Sequence, residues 1–380
     1  MTRRVRLAIA ALAAGACGKS TASHAPQPPG QVDGGAGGGG SVDAPAEVIA
    51  YPPPFSIPAL SAARVGSQGS TGWSTIGQAF ADVDWKEAPF AQVDLVVDLD
   101  TACFPFDKWS ADPPPPGQSW PADCDAFDRN FNVFIDDGGG AVPYEVIHAI
   151  TPFGGPEHLA ADVTDLANAL PGRHRLRVDL VSFSDPQGLV TGSNDGWTVS
   201  ARIDVTPGAA PRHVLAAVPL FAGRVVAGDP LPVVSWSVPD SATSGRLEYR
   251  TSGHGQGPRD PRCVGPSEEF CDRRHQIFVD GATVEDIEPY REDCATLCTL
   301  AHQGPPDAGL DYCQENPCGD PASVRSPRAN WCPGSMTPPF AWQDIPALAV
   351  PGTHTFSFQV SGIGTGGFWY ASAIYYAYGD

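Results

Sequence analysis

Val199-Ser200-Ala201-Arg202-Ile203-Asp204-Val205 alternates apolar and polar side chains at period two, which sets Val199, Ala201, Ile203 and Val205 on one face of an extended strand. The same alternation predicts strands over 93–99, 131–135 and 176–183. A second set follows from His213 onward, over 214–218, 246–251, 276–279 and 355–360, where Phe356, Phe358 and Val360 alternate with polar residues. Forty prolines and forty-two glycines, dispersed among these short runs, supply the turns that many short strands need. The class expected is all-β. Residues 206–211, Thr-Pro-Gly-Ala-Ala-Pro, are a short stiff connector, so two lobes are expected to pack closely. One helical candidate of note lies at 284–302, interrupted by Pro289.

The beginning of the chain belongs to targeting rather than to the fold. Arg3, Arg4 and Arg6 precede an apolar run over 7–16 that is too short to span a bilayer, the pattern of a secretory signal. Ala14-Gly15-Ala16-Cys17 fits a loose lipoprotein cleavage box, with Cys17 as the lipidated first residue, although it lacks an aliphatic residue three before the cysteine. Residues 18–48, rich in Gly and Pro, read as a disordered tether. The expected organisation is a signal peptide over 1–17, the tether over 18–48, and lobes over 49–208 and 212–380. That makes the protein an exported outer-membrane lipoprotein, or periplasmic or extracellular. A net charge of −20 argues against nucleic acid and against docking on anionic lipid, leaving membrane contact to the lipid anchor alone. A monomer is expected.

Ten cysteines in an exported chain are expected to be bridged rather than free. Setting Cys17 aside leaves nine, an odd number. The preferred bridges are Cys103–Cys124, Cys263–Cys271 and Cys313–Cys332, leaving Cys294, Cys298 and Cys318 to supply one more bridge and one thiol. Cys294, Cys298 and His302 fall at four-residue intervals and could line one helix face as a metal site, but disulfide chemistry is the preferred reading in an oxidising compartment.

Two carboxylates have similar surroundings. Asp128 lies in Cys124-Asp125-Ala126-Phe127-Asp128-Arg129, and Glu269 has Cys271 and Arg273 close by. Carboxylates far apart in sequence but alike in setting are what a hydrolytic site shared between two lobes needs; two rigid surface turns would look the same. A rival copy of the motif, Cys103-Phe104-Pro105-Phe106-Asp107-Lys108, is followed by a proline loop instead of a strand, so Asp128 is preferred to Asp107.

Ordered blocks over about 120–360 carry a resemblance: CDAFDRNFNVFI at 124–135, AITPFGG at 149–155, DVTDL at 162–166, AAVPLF at 216–221, EEFCDRRHQI at 268–277 and RANWCPGSM at 328–336. Together they resemble the bacterial peptide-N-glycosidase F family, which removes whole N-linked glycans and is built of two packed eight-stranded antiparallel jelly rolls. The resemblance implies Asp128 as the main catalytic residue, Glu269 as the second, and Arg129, Arg328 and Trp331 beside a substrate cleft. The reaction would hydrolyse the asparagine amide to N-acetylglucosamine of an N-glycosylated protein or peptide, with no metal and no cofactor.

Departures accompany the matches. The family's third carboxylate and the tryptophan two residues on are replaced by Val181 and Phe183; Asp179, on the same strand face as Val181, is the natural substitute. The 20 residues between Cys103 and Cys124 replace a tight loop and carry Trp109, Trp120 and prolines 113–116. His254 stands where the family has a tryptophan. Phe183, Asp179 and His254 therefore join the substrate-binding candidates. Two rival functions remain: a degenerate glycan- or peptide-binding module of the same fold, favoured by Val181, and a copper monooxygenase on paired jelly rolls, disfavoured because the nine histidines form no His-x-His pair and Met336 is the only internal methionine.

Overall fold

The alternating stretch at 199–205 lies in a strand whose Val199, Ala201, Ile203 and Val205 are buried. The structure, a computed structural model, describes residues 50–67, 75–136, 141–230, 232–257, 260–305 and 309–380. The signal segment, Cys17 and the tether to residue 48 lie outside the described residues.

Eight strands build the first sandwich: β1 Phe55–Gly66, β2 Thr75–Asp84, β3 Phe90–Asp100, β4 Asn130–Asp136, β5 Tyr144–Ile150, β6 Glu157–Asp162, β7 Arg173–Ser182 and β8 Gly196–Pro207. One sheet runs β1-β8-β3-β6 and the facing sheet β2-β7-β4-β5, all antiparallel. That interleaved order is the double Greek key of a jelly roll. Trp85, Trp197, Phe131 and the alternating valines fill the space between the sheets.

The second half repeats the order. It contains β9 His213–Val226, β10 Val233–Val238, β11 Ser244–Gly255, β12 Arg274–Val279, β13 Ala282–Ile287, β14 Leu300–Gln303, β15 Leu310–Cys313, β16 Ser335–Met336, β17 Phe340–Trp342, β18 Gly352–Ser361 and β19 Gly367–Gly379. One sheet runs β9-β19-β11-β17 and the other β10-β18-β12-β13, around Trp236, Tyr249, Phe356 and Phe358. The β14-β15 hairpin and β16 are inserted between the fifth and sixth strands of this second set.

Residues 50–380 form one compact unit, and β19 explains why. Ala371, Ala373, Tyr375 and Ala377 join the second core, while Ile374, Tyr376 and Tyr378 join the first. Covered on both faces, this strand has no reason to alternate, and its run of aromatic and small residues reads as continuously apolar. The short β16 adds to the free edge of β5, pairing Ser335 with Ile150 and Met336 with Ala149. The RANWC segment just before it is thereby pulled against the first sandwich.

Two expectations are corrected. Residues 284–302 are not a helix: they hold the end of β13, a short 3-10 turn at Cys294–Leu297 and the start of β14. Pro289 cannot donate into a helix, and two bridges fix the turn. Those bridges are Cys294–Cys332 and Cys298–Cys313, in place of the expected Cys313–Cys332; the structure also has Cys103–Cys124 and Cys263–Cys271. His302 turns to the Asp311 carboxylate, 2.8 Å away, rather than to cysteine. Cys318 is the free thiol among the described residues. Peptide mapping without reduction should recover Cys294–Cys332 and Cys298–Cys313 peptides, with Cys318 in an alkylated peptide; a Cys313–Cys332 peptide would contradict the arrangement.

Candidate active site

Asp128 sits in the loop that leads from the Cys103–Cys124 bridge into β4, and the loop is held by buried charge. Arg129, 7% exposed, donates through Nε and Nη2 to Asp125 at 2.8–3.0 Å and through Nη2 to Asp195 Oδ2 at 3.2 Å. Asp195 also accepts from the Ser67 hydroxyl. The Arg129 guanidinium lies 4.4 Å over the Phe183 ring and 5.4 Å from that of Phe127. Arg129 is among the substrate-binding candidates; its Nε and Nη2 are held by Asp125 and Asp195, which fixes the residue next to Asp128. Phe183 packs as part of that support.

Glu269 enters from the second sandwich, on a 3-10 turn just after the Gln256–Ser267 bridge and just before the Cys263–Cys271 disulfide closes. Its neighbour Glu268 is wholly buried and accepts from Arg273, Trp369 Nε1 and the Gly364 N–H. With Glu268 fixed in that way, Glu269 is free to reach Arg328, whose Nη1 is 3.1 Å from Glu269 Oε1.

Arg328 is 1% exposed and packed between the rings of Phe270 and Trp331, at 4.5 and 4.4 Å. Its Nη2 donates to the Ser323 carbonyl and hydroxyl, and its backbone pairs with Arg291. Nε and Nη1 have no aligned hydrogen-bond acceptor, so the contact with Glu269 is an ion pair with donor capacity in reserve. The turn that delivers Arg328 is set by Asn330, in the left-handed region at φ 66°, and by the Cys294–Cys332 bridge. Trp331 is buried, donates from Nε1 to the Gly253 carbonyl and stacks on His254, ring centroids 5.3 Å apart.

The charges converge on Asp128. Burial pushes its carboxyl up to about 7, with Glu269 pushing in the same direction and Arg328 and Arg129 pulling against both. Asp128, Glu269 and Arg328, spread over two hundred residues of sequence, therefore share one electrostatic site. Asp107, by contrast, is exposed on the 3-10 turn Phe106–Ser110.

Asp179 and Val181 line a neighbouring cavity of about 190 Å³ with Asn132, Glu145 and Tyr370. Asp179 accepts from Gln78 Nε2 at 2.8 Å, and burial raises its carboxyl. Between this cavity and Trp331 runs a buried relay that the sequence did not disclose. Glu145 Oε1 is 3.0 Å from His148 Nδ1, His148 Nε2 is 2.6 Å from Ser252 Oγ, and Ser252 Oγ is 2.7 Å from His254 Nε2. It crosses from β5 to β11, so no spacing rule within one strand could have found it. Burial, aided by His148 and Arg328, holds His254 well below the ordinary histidine value, so it serves as a neutral member of this wall rather than a cation.

Sequence comparison matches residues 227–374 to the model of the C-terminal part of peptide-N-glycosidase F. The amidase F of Elizabethkingia miricola, named for action on peptide-N(4)-(N-acetyl-beta-D-glucosaminyl)asparagine, is 25% identical over 232 residues. The match spans 57% of this chain and 57% of that relative, a little over half of its length. These likenesses support a divergent peptide-N-glycosidase F-like family member. Solved structures give the fold: the peptide-N-glycosidase F of Flavobacterium meningosepticum superposes with a TM-score of 0.59 at 17% identity, covering 86% of this chain and 96% of that one. PNGF-II superposes with a TM-score of 0.59 at 16% identity, over 86% and 65% of the respective chains. The jelly-roll fold expected from the sequence is thus the family's own.

Within this family framework, the Asp125–Arg129–Asp195 cluster is what keeps Asp128 in place. Arg129→Met would leave two fully buried carboxylates without their cation, and urea denaturation should show a loss of about 3–5 kcal/mol. An unchanged midpoint would contradict the role given to Arg129.

Proposed function

We propose that the protein is an exported glycoamidase that hydrolyses the asparagine amide to N-acetylglucosamine of N-glycosylated proteins or peptides. The observation that carries this reading is the Asp128 carboxyl raised to about 7 beside Glu269 and Arg328. A base works best when its value lies near the working pH, because it is then both available and strong enough to take a proton. Asp128 accepts the proton that water loses as it attacks the amide carbon. Glu269, fixed by Arg328, orients the water or the substrate, and the positive charge of Arg328 steadies negative charge as it develops on the amide oxygen. The leaving glycosylamine takes that proton back from Asp128 as the C–N bond breaks, giving aspartate in the peptide and returning Asp128 to its ionised form. No metal or cofactor enters these steps.

A second reading, a glycan- or peptide-binding protein without turnover, is favoured by Val181, which can neither accept a hydrogen bond nor carry a proton. Asp179 in the same cavity is the group that would restore the missing carboxylate. Export and lipidation at Cys17 are part of the proposal.

Incubation with a denatured N-glycoprotein should release the glycan and leave aspartate for asparagine in the peptide mass. The pH dependence of kcat/KM should rise through about 7 as Asp128 loses its proton, and Asp128→Asn should lose at least ~10²-fold. Folding stability should move the other way. The folded state holds this proton more tightly than the unfolded chain, so the favourable contribution is present at low pH and is lost as pH rises through about 7. Asp128→Asn should therefore raise the urea midpoint above that pH. Glycan binding without turnover would support the second reading instead.

A further inference from the structure

The insert between Cys103 and Cys124 and the β14-β15 hairpin, far apart in sequence, meet to form a groove of about 480 Å³. Phe106, Trp109 and Trp120 form one wall; Leu310, Pro317 and Pro321 form the other. The aromatic wall is continuous, with Trp109 edge-on to Trp120 at 5.8 Å and to Phe106 at 5.7 Å. Trp109 Nε1 donates to the Cys103 carbonyl at 2.9 Å, which fixes the indole against the bridge that carries the Asp128 loop. Trp120 packs on the same small cluster of Cys103, Cys124 and Ala126 as Phe127, the residue before Asp128. The groove is therefore joined to the proposed catalytic loop through a rigid, cross-linked layer.

Its chemistry selects a ligand class. Fixed indole and phenyl rings offer flat apolar surface for the C–H faces of pyranose rings, while Gln303, Ser119, Asp311 and Asp320 supply hydroxyl-binding groups around them. None of the described residues lining it is basic, and the two carboxylates repel anions, so phosphorylated or sialylated sugars are disfavoured. An uncharged ligand with both hydroxyls and apolar faces fits; an anionic one does not.

We propose that this groove is a saccharide subsite that takes a neutral arm of an oligosaccharide beyond the sugar attached to asparagine. The proposal rests on the amidase reading for which glycan is presented, but the binding itself does not require turnover. The site is absent wherever the 103–124 segment is a tight loop, so it would give this chain its own glycan preference.

The test titrates a neutral mannose and N-acetylglucosamine oligosaccharide into the Asp128→Asn protein, followed by tryptophan fluorescence and by saturation-transfer NMR. Saturable binding is expected, weakened at least tenfold by Trp109→Ala. Leu310→Arg, at a rim residue that is 57% exposed, places a charged chain across the groove without touching the core and should weaken binding as much. A sialylated counterpart should bind more weakly than the neutral sugar. Absence of saturable binding, or binding that survives both substitutions, overturns the proposal; so does a sugar-free peptide competing better than the oligosaccharide. Binding that depends on Trp109 and Leu310 in a protein whose wild type releases no glycan would leave the subsite standing and remove the amidase reading.

Discussion

The ion pair between Arg328 and Glu269 is the contact on which the site depends. A guanidinium 1% exposed, clamped between two aromatic rings, is costly to bury unless carboxylates face it. Glu269 meets that need directly and Asp128 meets it through the field they share. The same geometry raises the Asp128 carboxyl, because its own burial and Glu269 together outweigh what the two arginines return. A structural requirement of the buried arginine and the raised Asp128 carboxyl are thus one arrangement.

Each partner is delivered by a different scaffold element. The first sandwich supplies Asp128 from a loop braced by a disulfide and the Asp125–Arg129–Asp195 cluster; the second supplies Glu269 from a turn next to another disulfide. The RANWC turn carries Arg328, and β16 sews that turn to the edge of β5. Beneath all three, β19 shares its two faces between the two cores, so the two sandwiches cannot separate without exposing both. Rigidity at the seam follows from burial on either side of one strand, and it is what a site assembled from both sandwiches requires.

Much of the fold was legible because strands with one wet face must alternate. The period-two stretches at 93–99, 199–205 and 355–360 all lie within strands. Where burial is two-sided the signal vanishes, and the role of β19 could not be read from its composition. Asp128 and Glu269 stood out through matching surroundings, and the ordered blocks placed Arg328 and Trp331 nearby. What the sequence misjudged were pairings: the cysteine partners depended on a turn at Cys294–Leu297 that reads as a helix, and the hold of Asp125 and Asp195 on Arg129 could not be read from spacing. The relay from Glu145 through His148 and Ser252 to His254 lies across two sandwiches and had no local signature.

Burial and Glu269 together hold Asp128 as a half-ionised carboxyl near neutral pH. Carbon-detected NMR of aspartate carboxyls, assigned through Asp128→Asn, measures it directly. A midpoint near 7 that falls in Glu269→Gln is expected. An ordinary aspartate midpoint, unmoved by Glu269→Gln, would contradict it.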